Sequence, residues 1–183
     1  MLVRSLAIGV AAVALLSSAA NAADLIIPTT PEPIYEAAGF DWEGLYAGAR
    51  IGGVFADDVS GLAVGGAVGV NFLPADAFLL GVEATADYVW SDDFEDYGDF
   101  YANVRAGAIV TDSVLVYALA GVGVAAVDGD STGVYQLGGG VELAVTDSIT
   151  VRGEVVGQGG FEDDLEDDFF DNAKATVGVF YHF

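Results

Sequence analysis

The chain has no cysteine among its 183 residues. That removes disulfides, zinc–thiolate sites and thiol nucleophiles together. Basic residues are nearly as scarce: five Lys and Arg stand against 28 Asp and Glu, for a formal net charge of −23. A phosphate backbone needs a basic stripe, so nucleic acid is excluded as a partner. What is plentiful is apolar or small: the chain is 54% hydrophobic with 25 glycines, and its mean hydropathy is +0.51. High charge with little hydrophobicity marks disorder, but this composition offers ample surface to bury. The length suits one domain. The open question is where such a chain puts 28 carboxylates.

The first residues read as an export signal. Met1 to Arg4 is a short basic start, Leu6 to Leu16 is apolar or glycine, and Ala20-Asn21-Ala22 is an A-x-A cleavage site. The apolar run falls short of the roughly 20 residues of a spanning helix. The reading is a signal peptide over 1–22, a proline-containing periplasmic linker over 23–41 holding Pro28, Pro31 and Pro33, and a folded domain over 42–183. Cleavage would remove Arg4 and leave 28 − 4 = 24 excess negative charges.

No later segment is long and apolar enough for a spanning helix; Val59–Ala75 carries four glycines and Ser113–Val127 is short. Both alternate larger with smaller residues at period two, which is the strand signature. The alternation recurs at about 42–56, 62–72, 78–91, 99–110, 114–127, 134–145, 149–161 and 172–183. Brief connections at 73–77, 111–113 and 146–148 alternate with acidic ones at 57–61, 92–98, 128–133 and 162–171. An even number of antiparallel strands, with tight turns at one end and longer loops at the other, describes an all-β, eight-stranded up-and-down transmembrane barrel.

Charge placement tests that reading, because a basic residue facing lipid at mid-bilayer costs about 2–4 kcal/mol. Glu83 and Asp87 oppose Val82, Ala84, Ala86, Tyr88 and Trp90. Arg105 opposes Val104 and Ala106; Glu142 opposes Val141 and Leu143; Arg152 and Glu154 oppose Val151 and Val155; Lys174 and His182 oppose Val177, Val179, Tyr181 and Phe183. Arg50 opposes Leu45, Ile51 and Phe55, while the strand at 114–127 has no polar face to read. The four basic residues left after signal removal therefore point inward, with Glu83, Asp87, Glu142 and Glu154 as candidate partners. Strand adjacency pairs Arg105 with Glu83 or Asp87, Arg152 with Glu142 and Lys174 with Glu154, and Arg50 reaches across the lumen. Aromatic residues near strand ends, among them Trp42, Tyr46, Phe72, Phe78, Tyr88, Trp90, Phe100, Tyr101, Tyr181 and Phe183, are expected at the headgroup level. A soluble sandwich or lipocalin-like barrel would need a polar outer face, which 62–72 and 114–127 lack.

Trp42-Glu-Gly-Leu-Tyr-Ala-Gly48, Gly138-Gly-Gly-Val-Glu142 and Thr146-Asp-Ser148 before Val151-Arg-Gly-Glu154 occur in order. Together they resemble the small outer-membrane β-barrel proteins of the "porin family" type, common in alphaproteobacteria. The final segment, with Val177, Val179, Tyr181 and Phe183 on one face, resembles the signal such proteins present to the barrel-assembly machinery. The resemblance implies an OmpA- or OmpX-like barrel in the outer membrane of a Gram-negative cell envelope. It implies no particular activity.

Eight strands enclose an interior just wide enough for side chains to fill, so a plugged structural and surface-interaction barrel is expected ahead of a pore. The alternative is a narrow channel for ions or small solutes. Catalysis is not expected: the one histidine, His182, lies at the periplasmic end with no evident serine partner. Asp128-Gly-Asp-Ser-Thr-Gly133 begins like a calcium loop, but Gly139 stands where the bidentate glutamate belongs. Glu162, Asp163, Asp164, Glu166, Asp167, Asp168 and Asp171 crowd one connection. A solvated, self-repelling loop is the plain reading, and weak Mg²⁺ or Ca²⁺ binding that bridges to lipopolysaccharide is the sharper one. No cofactor is implied. Expected partners are outer-membrane lipid, lipopolysaccharide and the barrel-assembly machinery, with the loop partner unknown.

Overall fold

The computed structural model describes residues 39–56, 59–92, 95–127, 130–161 and 172–183. The segment read as a signal peptide, most of that read as a linker and the seven-carboxylate segment lie outside the described residues. Eight antiparallel strands run in chain order: β1 Gly44–Ala56, β2 Val59–Ala75, β3 Phe78–Trp90, β4 Tyr97–Thr111, β5 Val114–Val127, β6 Asp130–Ala144, β7 Ile149–Gly160 and β8 Asn172–His182. Each pairs with its sequence neighbour, and β1 pairs with β8 from Tyr46↔His182 to Ala56↔Asn172, so the sheet closes. Closure leaves no strand edge unpaired, a requirement in lipid.

The period-two alternation of the sequence becomes an inside and an outside. In β3, burial alternates without a break: Leu79, Glu83, Thr85, Asp87 and Val89 are buried, while Phe78, Leu80, Val82, Tyr88 and Trp90 are exposed. The strand whose faces the sequence left open, β5, turns Leu115, Tyr117 and Leu119 inward and Val116, Val122 and Val124 outward. The outer wall is apolar, as a lipid-facing surface requires.

The turn end carries the β2–β3, β4–β5 and β6–β7 connections, and the loop end carries the other four. Two of those four are tighter than expected. Ala56 pairs with Val59 and Val127 with Asp130, so most of 57–61 and 128–133 is strand. Backbone pairing needs no apolar side chain, and it continues where hydrophobicity stops. Asp130 to Thr132 is therefore exposed strand and not a calcium loop.

At the turn end the chain before β1 closes the barrel. Phe40, expected in the linker, donates its N–H to Asp112 O at 3.2 Å and packs beside Trp42, ring centroids 4.6 Å apart. Trp42 is buried with Leu79 and Leu115. Gly44 bends the chain there at φ 114°, a region that favours glycine.

Candidate functional site: the charged lumen

All eight lumen residues anticipated from sequence are buried: Arg50, Glu83, Asp87, Arg105, Glu142, Arg152, Glu154 and Lys174. They fall into two clusters. Nearer the turn end, Glu142 Oε2 accepts from Arg105 Nη2 and Arg152 Nε, both at 2.9 Å. Arg152 Nη1 also reaches Glu83 Oε2 at 2.5 Å, and Arg105 stands 3.8 Å from the same oxygen. Two guanidiniums and two carboxylates make a balanced square.

Tyrosines knit that square to the wall. Tyr46 donates its hydroxyl to Glu83 Oε2 at 2.8 Å and accepts from Arg105 Nη1 at 2.7 Å. The Arg105 guanidinium lies 4.0 Å from the Tyr117 ring centroid, and that of Arg152 lies 3.8 Å from the Phe180 centroid. Both are cation–π distances. Lumen-facing glycines supply the room: a Cβ at Gly69 would overlap the Tyr46 ring, and one at Gly140 the Tyr117 hydroxyl.

Nearer the loop end, Arg50 grips Asp87 through Nε–Oδ1 at 2.8 Å and Nη2–Oδ2 at 2.5 Å, and its Nη1 reaches Glu154 Oε1 at 3.0 Å. Tyr117 donates to Glu154 Oε2 at 2.6 Å. Lys174 departs from expectation: its partners are Asp87 at 2.8 Å and Asp99 at 2.7 Å, not Glu154. The reason is reach across the lumen, which lets a long side chain on β8 meet β3 and β4 in place of its neighbour β7. Arg105, expected with Glu83 or Asp87, pairs mainly with Glu142 two strands away. The Arg152–Glu142 pair lies across the β6–β7 ladder, at the register Glu142↔Arg152.

Asp99 was missed as a lumen residue, although it is 1% exposed. Its signal was its parity: it shares the inward face of β4 with Tyr101, Asn103 and Arg105. Parity also corrects three aromatics expected at the headgroups. Trp42, Tyr46 and Tyr101 are buried inside, whereas Phe72, Phe78, Tyr88, Trp90, Phe100, Tyr181 and Phe183 face outward.

His182 completes the turn-end floor. Its Nε2 lies 3.2 Å from Glu142 Oε1 and 3.4 Å from Thr150 Oγ1, and its ring stacks on Tyr46 at 5.4 Å. It is wedged between Tyr46 and Phe40, a packed lining residue. Val177, Val179, Tyr181 and Phe183 share the outer face of the last strand, with Phe183 78% exposed. Among the described residues no group of acids and histidine is arranged to hold a metal ion.

A closed eight-stranded wall that is apolar outside and charged inside is the architecture of outer-membrane barrels. Solved barrels of that kind share it. The chain superimposes on the N-terminal β-barrel domain of Pseudomonas aeruginosa OprF with a TM-score of 0.53 at 16% identity, covering 77% of this chain and 98% of that one. It matches Neisserial surface protein A with a TM-score of 0.51 at 14% identity, covering 76% and 96%. It matches Ail, the attachment invasion locus protein of Yersinia pestis, with a TM-score of 0.50 at 16% identity, covering 77% and 99%. At such identities the likeness is one of fold. No curated protein matches the chain in sequence. Residues 8–183 match the family described as Outer membrane protein beta-barrel domain. With that match across most of its length, the chain belongs to the outer membrane protein β-barrel domain family.

Proposed function

We infer that this outer-membrane barrel is a structural and surface-contact protein whose wall anchors outward-facing loops and whose lumen is closed by side chains. The observation that carries the reading is the buried ion-pair ladder of Arg50–Asp87, Arg105–Glu142, Arg152–Glu83 and Lys174–Asp99, in which side chains of non-adjacent strands meet across the lumen. Such charges leave water only because each is paired and hydrogen-bonded. Ail and Neisserial surface protein A, named for attachment and for the cell surface, lend the surface role support through shared fold. The reading assigns the chain no catalytic step.

Export by residues 1–22 and recognition by the barrel-assembly machinery through Val177, Val179, Tyr181 and Phe183 belong to the same proposal. So does cation-bridged contact between the acidic segment at 162–171 and lipopolysaccharide. Chelating divalent cations should then weaken lipopolysaccharide binding to reconstituted barrels, and an unchanged affinity removes that contact from the proposal. Planar-bilayer conductance tests the plug. A silent or only flickering barrel is expected, and a large, stable, solute-permeable conductance overturns the reading. A narrow cation-preferring leak is the second reading. It is favoured by the small lumen face of β2, Ala63, Gly65, Ala67 and Gly69, beside one more carboxylate than cations.

A further inference from the structure

The two lumen clusters differ in charge. The turn-end square balances Arg105 and Arg152 against Glu83 and Glu142. The loop-end cluster sets Arg50 and Lys174 against Asp87, Glu154 and Asp99, which leaves one negative charge over. That excess has an address. Asp99 Oδ2 takes the Lys174 ammonium at 2.7 Å, while Oδ1 is buried with no hydrogen-bond partner. A lone carboxylate oxygen removed from water is costly unless something donates to it.

Asp99 lines a cavity of about 310 Å³ inside the loop-end mouth of the barrel. Its other walls include Tyr97, Tyr101, Thr132, Gln158 and Val134. The volume sits at the lower edge of the range for ligand pockets, which points to a small solute. The walls are mainly aromatic and aliphatic, with Thr132, Gln158 and Asn172 as neutral polar groups, around one carboxylate. A bare inorganic cation prefers six or more oxygens. An alkylammonium ion wants one anionic acceptor, an aromatic face and an apolar wall. The protein already demonstrates the chemistry with its own amine: Lys174 Nζ lies 5.5 Å from the Tyr101 ring centroid while it donates to Asp99.

We propose that this loop-end cavity binds a small primary alkylammonium ion, its ammonium group set toward the Asp99 carboxylate and its alkyl chain lying against Tyr101 and Val134. The site stands whether or not the lumen conducts. The test titrates the full folded barrel in detergent micelles with n-butylammonium chloride, n-butanol or potassium chloride at constant ionic strength. Amide chemical shifts at Tyr97, Asp99, Gln158 and Gly160 report binding. Saturable shifts are expected with n-butylammonium alone, with affinity at least tenfold lower in Asp99→Asn. Lys174 retains Asp87 in that variant, so folding should survive, and heat-modifiable migration checks it. If the variant does not fold, the wild-type titrations decide alone, because preference for the ammonium over the isosteric alcohol is the claim. A response to n-butanol of the same size, the same shifts from potassium ion, non-saturating shifts, or unchanged affinity in folded Asp99→Asn would each overturn it.

Discussion

Glu142→Gln is the sharpest probe of a dry, filled lumen. Glu142 is fully buried and takes four donors or near-donors: Arg105 and Arg152 on Oε2, Thr150 at 2.6 Å and His182 at 3.2 Å on Oε1. Glutamine keeps the shape but removes the charge, and its amide nitrogen accepts nothing. The turn-end square then holds two guanidiniums against Glu83 alone. Breaking a buried pair by removing one partner costs about 3–5 kcal/mol, because the other charge stays buried. At about 1.4 kcal/mol per decade that is roughly two to nearly four orders of magnitude in the folding equilibrium. Urea unfolding in phospholipid vesicles, followed by tryptophan emission, reads it out. Trp42 reports from the lumen floor and Trp90 from the lipid face. Adding Arg105→Met should recover part of the loss by restoring balance, a coupling of about 0.5–3 kcal/mol. A lumen full of water would screen the square, and the single substitution would then cost no more than the ~1 kcal/mol of an exposed pair. That small value would refute both the dry lumen and the plug.

Three further outcomes follow from the same geometry. Lys174→Met strands Asp99, while Arg50 still holds Asp87, and should cost about 3–5 kcal/mol in the same assay, with much of it recovered in Lys174→Met/Asp99→Asn. Val104→Arg, placed on the outer face at a site 60% exposed, should cost about 2–4 kcal/mol in vesicles, and a neutral result would show that the face is not in the bilayer. Gly69→Leu drives a side chain into the Tyr46 ring and should cost about 1–3 kcal/mol of overpacking, measured as a lower urea midpoint.

Most of the barrel was legible because period-two alternation carries two facts at once, strand and face. Every lipid-facing position of β3 can be read from Phe78-Leu-Leu-Gly-Val-Glu-Ala-Thr-Ala-Asp-Tyr-Val-Trp90 by parity alone. Partner choice was less legible. Side chains such as Lys174 cross the lumen, and which strand they meet depends on stagger, which no single strand encodes. Asp99 was lost for a different reason. It opens the strand read at 99–110, directly after the acidic connection at 92–98, so its carboxylate looks like one more loop charge although it shares parity with Arg105. The same blindness hid the strand character of Val59–Gly61 and Asp130–Gly133. Hydrophobicity marks the bilayer and not the end of the ladder.

Why the lumen holds ion pairs and not leucine is a question about the unfolded chain as much as the folded one. Packing the lumen with apolar residues is often neutral or stabilising compared with buried ion pairs. It would also make both faces of every strand apolar. β2 and β5 come near that limit, since neither carries a charge, and β5 reads Val114-Leu-Val-Tyr-Ala-Leu-Ala-Gly-Val-Gly-Val-Ala-Ala-Val127. At 14 residues β5 is still short of the roughly 20 that span as a helix. Were its neighbours alike, successive strands joined by two-residue turns would merge into continuous apolar runs. Such runs are hard to distinguish from a membrane helix and prone to pair with other chains while exposed. Arg50 in β1, Glu83 and Asp87 in β3, Arg105 in β4, and Glu142 in β6 interrupt the runs on either side of β2 and β5. Once the sheet closes, the same side chains neutralise one another in the lumen. The inward charges therefore keep the open chain soluble and are matched, to within one carboxylate among the described residues, when it folds.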